Sequence, residues 1–357
     1  IIKIQELYLP MSHPRIYFIG LHQGFRKKKF RDHYRIERRR RHESEAAVFT
    51  GGLRQTFKIS EADVIFCRNI PERTSDQDVE RIESKIATYR DSRLVVNDIK
   101  SFYAGDLKDE SYSLWKGAGL LVPNHIILSD PKLARSQVET FQKNFARIIL
   151  RTNNESGGDG LVIIEPDADE KLITSTLEKL FDRVESAKKN RKHSRVMAVE
   201  FVETTTRSGF SEAYRAHVVF DKVLSFYGVG AQKREIHYRD ASLEEYGYFV
   251  ELNLKLHALM DDPLFRKQII DGVSILGNNL GAIDFLIKDG QPVFLELNPL
   301  WGATLQRSGF GPLQPAIRSH WKDIQMRLPG LAAFLKSRQF YRKMYTTIAA
   351  KATGGTG

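Results

Sequence analysis

The chain carries a single cysteine, Cys67, among 357 residues. That count excludes a framework of intrachain disulfides and a multi-cysteine zinc site. Cys67 closes the run Val64-Ile65-Phe66, the setting of a small core residue. No stretch approaches the ~20 apolar residues that a membrane-crossing helix requires, and the opening residues lack the basic-then-apolar layout of a secretory leader. A cytoplasmic protein is expected. Internal repeats, the dinucleotide-binding glycine fingerprint and the Walker phosphate loop are all missing.

What is present is ordinary in bulk, with 41% hydrophobic and 28% charged residues, so fold and function must come from patterning. The length favours two or three lobes. The net charge of +11 is concentrated locally. Between Arg26 and His42 the stretch RKKKFRDHYRIERRRRH sets only Asp32 and Glu37 against a run of Lys and Arg. A solvated segment and a phosphate grip both fit it. Nucleic acid is not the expected partner, because no RNA-binding aromatic signature, helix-turn-helix pattern or zinc knuckle accompanies the charge.

Met11 is a candidate start, and the residues before it are left out of the fold reading. Strands are expected at Arg15 to Leu21, Ala62 to Arg68 and Leu94 to Asn97, with a helix over Asp76 to Tyr89. These make a small α/β lobe with parallel pairing over residues 1–100. Next come a helix over Tyr112 to Ala118 and a strand, loop, strand unit from Ala146 to Glu165. A helix over residues 170–189 and a basic connector to Arg195 follow. Strands then recur at Val196 to Val202, Ala213 to Phe220, Val223 to Gly228, Ala282 to Ile287 and Pro292 to Asn298, with a helix over Pro263 to Asn278. Lys336 to Lys351 reads as a basic amphipathic helix.

Chemistry concentrates in three places. In IDFLIKDGQPVFLELNP, Glu296 and Asn298 are two apart and share one face of a strand, while Leu295 and Leu297 take the other. If Lys288 to Gly290 form a three-residue loop, Asp284 lies across from Phe294 and diagonal to Glu296. Two carboxylates and an amide oxygen suit magnesium, whose shell substrate phosphates usually complete. A surface hairpin with exposed acids would look similar. In RIILRTNNESGGDGLVII, Gly157, Gly158 and Gly160 allow close backbone approach to phosphates beside Arg151, although a plain hairpin turn would also use them. In VMAVEFVETTTRSGFSEAYRAHVVF, Glu200 and Glu203 sit at a strand end suited to an adenine edge and a ribose. Arg215 on the next strand is placed either to stabilise a transferring phosphoryl group or to make a cross-strand ion pair.

These pieces, in this order, resemble the ATP-grasp superfamily over residues 95–305, especially its carboxylate–amine ligase branch related to ribosomal-protein glutamate ligases and glutathione synthetases. The likeness begins with NDIKSFYAGDLKDESYSLWKGAGLLVPNHI, where Lys108 stands eleven before Gly119. It implies an α/β (α+β) ATP-grasp fold with a small N-terminal lobe, a central lid lobe over 101–195, a C-terminal catalytic lobe over 196–320 and a basic helical tail over 321–357. It further implies that Lys108 and Arg151 meet the nucleotide phosphates, Arg151 replacing the family lysine. Ser156 through Gly160 would cover the phosphates, and Glu200, Phe201 and Val202 would form the adenine hinge. Either Glu203 or Glu212 would take the ribose, and Asp284, Glu296 and Asn298 would hold Mg2+ or Mn2+. Arg215 is the first choice for the transition-state arginine, Lys233 and Arg234 are next, and Arg307 is a candidate for the substrate carboxylate.

The implied reaction moves the γ-phosphoryl of ATP to a small-molecule or peptide carboxylate, and an amine then attacks the acylphosphate. Homo-oligomers occur among such proteins. An ATP-grasp small-molecule kinase, and a catalytically weak ATP-binding protein whose basic segment binds nucleic acid or an anionic surface, stay open as alternatives.

Overall fold

A computed structural model describes residues 14–20, 48–49, 58–69, 71, 74–154, 160–204, 209–233, 241–299 and 310–354. The basic stretch 26–42 lies outside them, as do Ser156, Gly157, Gly158, Arg234 and Arg307.

Strands β1 (Arg15–Ile19), β2 (Val48–Phe49), β3 (Val64–Cys67) and β4 (Leu94–Val96) form a parallel sheet in the order β2-β1-β3-β4. All four residues of β3 are buried, as expected of a parallel strand covered on both faces. One cover is α1 (Asp76–Ile86), started by a capping box in which the Ser75 hydroxyl accepts from the Asp78 amide. Its Ile82 and Ile86 pack with Ile65 and Cys67. Two short helices follow, α2 (Phe102–Asp106) and α3 (Lys108–Gly117).

The second sheet, antiparallel in the order β5-β8-β6-β7, comprises β5 (His125–Leu128), β6 (Ile148–Thr152), β7 (Val162–Ile164) and β8 (Val196–Glu200). Alternation along its strands separates two apolar faces. Leu128, Leu150, Val196 and Ala198 pack under α4 (Pro131–Asn144) and α5 (Glu170–Lys188). Ile127, Ile149, Met197 and Val199 turn instead to the core shared with the third sheet. The expected boundary at 195/196 is corrected here, because β8 pairs with both β5 and β6.

The third sheet runs β10-β9-β11-β12, all antiparallel, from β9 (Ser211–Val219), β10 (Lys222–Ala231), β11 (Leu280–Lys288) and β12 (Gln291–Asn298). Behind it lie α6 (Tyr246–Asp261) and α7 (Pro263–Ser274). A Cβ at Gly272 would stand 2.6 Å from Ile283 and 2.8 Å from Phe294, so glycine is what lets α7 close on the sheet. Trp115 of α3 is wholly buried in the same core, and its Nε1 donates to the Gly272 carbonyl at 2.7 Å.

Helices α8 (Gln314–Ser319), α9 (Trp321–Arg327), α10 (Pro329–Leu335) and α11 (Ser337–Ala352) complete the described chain. The expected basic tail is corrected. Phe340, Met344, Tyr345 and Ile348 of α11 are buried against Ile16, Val64 and Phe66 of the first sheet and Val219, Leu280 and Ala282 of the third. Lys343 and Lys351 stand exposed on the outside of this core element. Among the described residues, no helix is long and apolar enough to cross a membrane.

Asn97, held at φ 55°, joins the first and third sheets. Its amide N–H donates to Asn279 Oδ1 (2.8 Å), its Nδ2 to the Pro299 carbonyl (2.8 Å), and its Oδ1 accepts from the Leu280 N–H (3.0 Å). The carboxyl edge of the parallel sheet, where open α/β sheets bind ligands, is thereby set beside the end of β12.

Candidate active site

The β11–β12 hairpin turns on two residues, Asp289 at φ 51° and Gly290 at φ 75°. Positive φ at both central positions gives the turn whose twist suits a hairpin. Lys288 therefore pairs with Gln291, in place of the expected three-residue loop. The register then shifts, with Phe285 opposite Phe294 but Asp284 directly opposite Glu296. Leu295 is the extra residue, and it is half-buried. That insertion allows Phe294 and Leu297, three apart, both to enter the core while Glu296 and Asn298 face away from it.

On that face Asp284 also stands opposite Arg215 of β9. The pair is bidentate, with Nε to Oδ1 at 2.5 Å and Nη2 to Oδ2 at 2.6 Å. Asn298 Nδ2 donates to Asp284 Oδ2 at 3.1 Å, which fixes the amide and leaves its oxygen directed elsewhere. Burial holds the Asp284 carboxyl above the usual carboxylate range, although Arg215 pulls it down. Burial works against the Arg215 charge, but Asp284 more than offsets it and the guanidinium titrates above its ordinary range.

Lys108 opens α3, with its amide N–H donating to the Asn153 carbonyl at 2.9 Å. Its ammonium is 3.5 Å from Glu296 Oε2 and nearly enclosed. Burial lowers the Lys108 pKa, Glu296 raises it, and the nearby Arg151 cation lowers it further. Arg151 lies on β6 opposite Met197, two residues beyond Ile149 and so on the face of the second sheet that meets the shared core. The structure thus gathers Lys108, Arg151, Arg215, Asp284, Glu296 and Asn298.

The remaining expected residues are placed differently. Gly160, at φ 75°, is the first described residue after residues 155–159. At the end of β8 the Glu200 carboxylate accepts from Asn124 Nδ2 (2.6 Å) and from the Asn124 amide (3.1 Å), and the Phe201 amide donates to the Arg147 carbonyl (3.1 Å). Val202 is buried. Glu203 is ion-paired with Arg147 at the rim. Glu212 is corrected as a ribose candidate. It is three residues from Arg215 and turned to the other face of β9, where its buried carboxylate accepts the Tyr214 and Tyr248 hydroxyls at 2.6 and 2.5 Å. Lys233 is exposed beyond the end of β10.

Sequence reasoning missed Asn153, which is completely buried. Its Nδ2 donates to Asp109 Oδ1 at 2.7 Å and its Oδ1 accepts from the Arg195 N–H at 3.0 Å, anchoring the start of α3 to the second sheet. Its place in TNNESGGDG, one step past the β6 strand, was the available signal.

Asp284, Glu296 and Asn298, the residues expected to hold a metal, share one face of the third sheet. Two acids and an amide oxygen on one sheet face form a hard-oxygen set that leaves room for phosphate ligands. Among the described residues no group of three His, Cys, Asp or Glu side chains is arranged to hold a metal ion. Arg215 and Lys108 supply the positive charge beside the two carboxylates.

This architecture matches D-alanine–D-alanine ligase from Bacillus anthracis at a TM-score of 0.51 and 12% identity, covering 96% of this chain and 100% of that one. The chain has the ATP-grasp fold. Looser ATP-grasp matches include the ATP-grasp ligase PsnB complexed with minimal precursor, at a TM-score of 0.49 and 15% identity over 85% of this chain and 98% of that one. Another is a RimK domain protein from Sphaerobacter thermophilus, at 0.44 and 12% over 90% and 98%. No family model and no curated protein sequence matches the chain.

Proposed function

We propose that this chain is an ATP-dependent ligase that activates a carboxylate as an acylphosphate and joins it to an amine, releasing ADP. The observation that carries the reading is the convergence of Asp284, Glu296 and Asn298 on one sheet face with Arg215 and Lys108 against their carboxylates. The B. anthracis neighbour, by its name a ligase, shares the fold and so supports the class. The pairing of substrates is this reading's own extension.

Phosphoryl transfer leaves a protein little covalent work, and positioning and charge neutralisation dominate. Lys108 and Arg151 would hold the phosphates. Asp284, Glu296 and Asn298 would hold Mg2+, which when bound neutralises phosphate charge and polarises the transferring group. Arg215, already fixed by Asp284, is placed to stabilise the charge that develops in the transition state. The three-residue hinge 200–202 would receive the base, and the apolar face of Ile149, Met197 and Val199 would pack against it. The carboxyl edge of the first sheet, brought to Pro299 by Asn97, is where an acceptor would approach.

Product analysis tests this. ADP release should require both a carboxylate and an amine across a panel of amino acids and peptide acids, and Glu296→Gln should abolish it while leaving the fold intact. Phosphate transfer to hydroxyl compounds, or nucleotide stabilisation equal in wild type and Glu296→Gln, would refute the ligase reading or the metal assignment respectively.

A further inference from the structure

Tyr112 lies one helical turn beyond Lys108 on α3, so the two side chains share a face of that helix. It is 2% exposed. Its ring is fixed by Trp115, at 6.2 Å between centroids, and by His125, edge-on at 5.1 Å. Its hydroxyl, by contrast, has no hydrogen-bond partner among the described residues. It is not among the fully enclosed polar atoms that lack a partner, so the oxygen is open to a ligand or to water. The ring fills the core, so packing accounts for the aromatic carbon but not for the oxygen.

The surroundings suggest what the oxygen meets. The ring lies between Trp115 of α3 and His125 of β5, one turn from the Lys108 that touches Glu296, and the charges of Arg151 and Glu296 both act on the phenol. Burial pushes the phenol up to about 12, so at neutral pH it remains a proton donor. His125, against which the ring rests, pairs with Val199 of β8, the residue just ahead of the 200–202 hinge. Lys108, one turn the other way, touches Glu296. A nucleotide extended from hinge to metal triplet would therefore pass Tyr112 where cations already gather.

We propose that the Tyr112 hydroxyl is a nucleotide-binding group, donating a hydrogen bond to a phosphate oxygen of bound ATP. The inference rests on the ATP-dependent reading above and adds a residue which that reading leaves unused.

The test is Tyr112→Phe in the full chain, with magnesium-ATP, magnesium-ADP and adenosine binding measured by calorimetry and the ligand-free protein by thermal melts. The variant keeps the ring contacts and loses only the oxygen. Its ligand-free melting temperature should be unchanged or higher, and its affinity for ATP and ADP should fall about tenfold, as loss of one hydrogen bond predicts, with adenosine unaffected. If wild type binds ATP and Tyr112→Phe binds it within twofold as well, the inference fails while the site reading stands. A lower ligand-free melting temperature would show that the hydroxyl serves the fold and would overturn the inference. Equal weakening of adenosine would move the contact to the sugar and overturn the phosphate assignment. If wild type binds no nucleotide, the site reading itself falls, and this inference with it.

Discussion

Replacing Asp284 with asparagine separates what the Arg215–Asp284 pair does for the fold from what it does for a ligand. The substitution keeps the shape but removes the charge facing both Nε and Nη2 of Arg215. Breaking a fully buried pair by removing one partner costs about 3–5 kcal/mol. Here the side chains are 23% and 25% exposed, so solvent screens part of the loss, and about 2–3 kcal/mol is expected. In a chain of this size each kcal/mol is worth roughly 2 °C, so the ligand-free melting temperature should drop by about 5 °C. The companion variant carries Arg215→Gln together with Asp284→Asn. With no orphaned guanidinium it should regain at least half the loss, giving a favourable coupling in the double-mutant cycle. Neither variant should gain stability from magnesium-ATP, whereas wild type at a hundredfold excess over Kd should gain about 2.7 kcal/mol. Thermal melts with and without magnesium-ATP read both effects. A double variant no more stable than the sum of the single losses would refute the argument that Arg215 depends on Asp284 for its neutralisation.

The Lys108 ammonium should give ATP affinity an alkaline limb. Burial lowers its pKa from the ordinary 10.5, so affinity should decline below the pH at which free lysine titrates, and Lys108→Arg should flatten that decline. The stability sign is fixed by the same shift. Between the folded-state pKa and 10.5 the unfolded chain binds more protons, so Lys108's contribution to stability grows as pH rises through that window and is lost as pH falls through the folded value. Urea midpoints of wild type and Lys108→Met across that range would check it. Phe340→Ala should cost about 3–5 kcal/mol in urea unfolding, because the ring is 1% exposed between two sheets; a loss under about 1 kcal/mol would restore the view of α11 as a tail. Gly272→Ala should cost about 1–3 kcal/mol by driving a Cβ into Ile283 and Phe294, and a neutral result in the same assay would refute that close approach.

What the sequence made legible follows from how far apart the cooperating residues lie. Within one hairpin, a period of two placed Glu296 and Asn298 on a common face, and Asp289-Gly290 marked the turn. The extra residue at Leu295 was not readable, because a register shift is settled by which apolar side chains the core accepts, here Phe294 and Leu297 together. Helix α6 went unread for a related reason. Phe249 serves the core under α10 while Leu252 and Leu256 serve the core under the third sheet, so no single apolar stripe stands out. Glu212 shows the limit on charge: nothing local announces that a carboxylate will be buried against two phenols, one of them 36 residues away.

The contact that matters most to the site joins residues 69 apart. Arg215 could be named as a candidate because it sits mid-strand among apolar neighbours, but whether it would meet a phosphate or a carboxylate depended on β9 lying beside β11, a pairing across the intervening β10, α6 and α7. The structure answers with both oxygens of Asp284. That answer narrows the role of the arginine, since a guanidinium already held by two hydrogen bonds is preorganised and gives up little freedom when charge develops nearby. On the proposed reading Asp284 would serve both a bound metal ion and the arginine, so a substitution there should disturb both together.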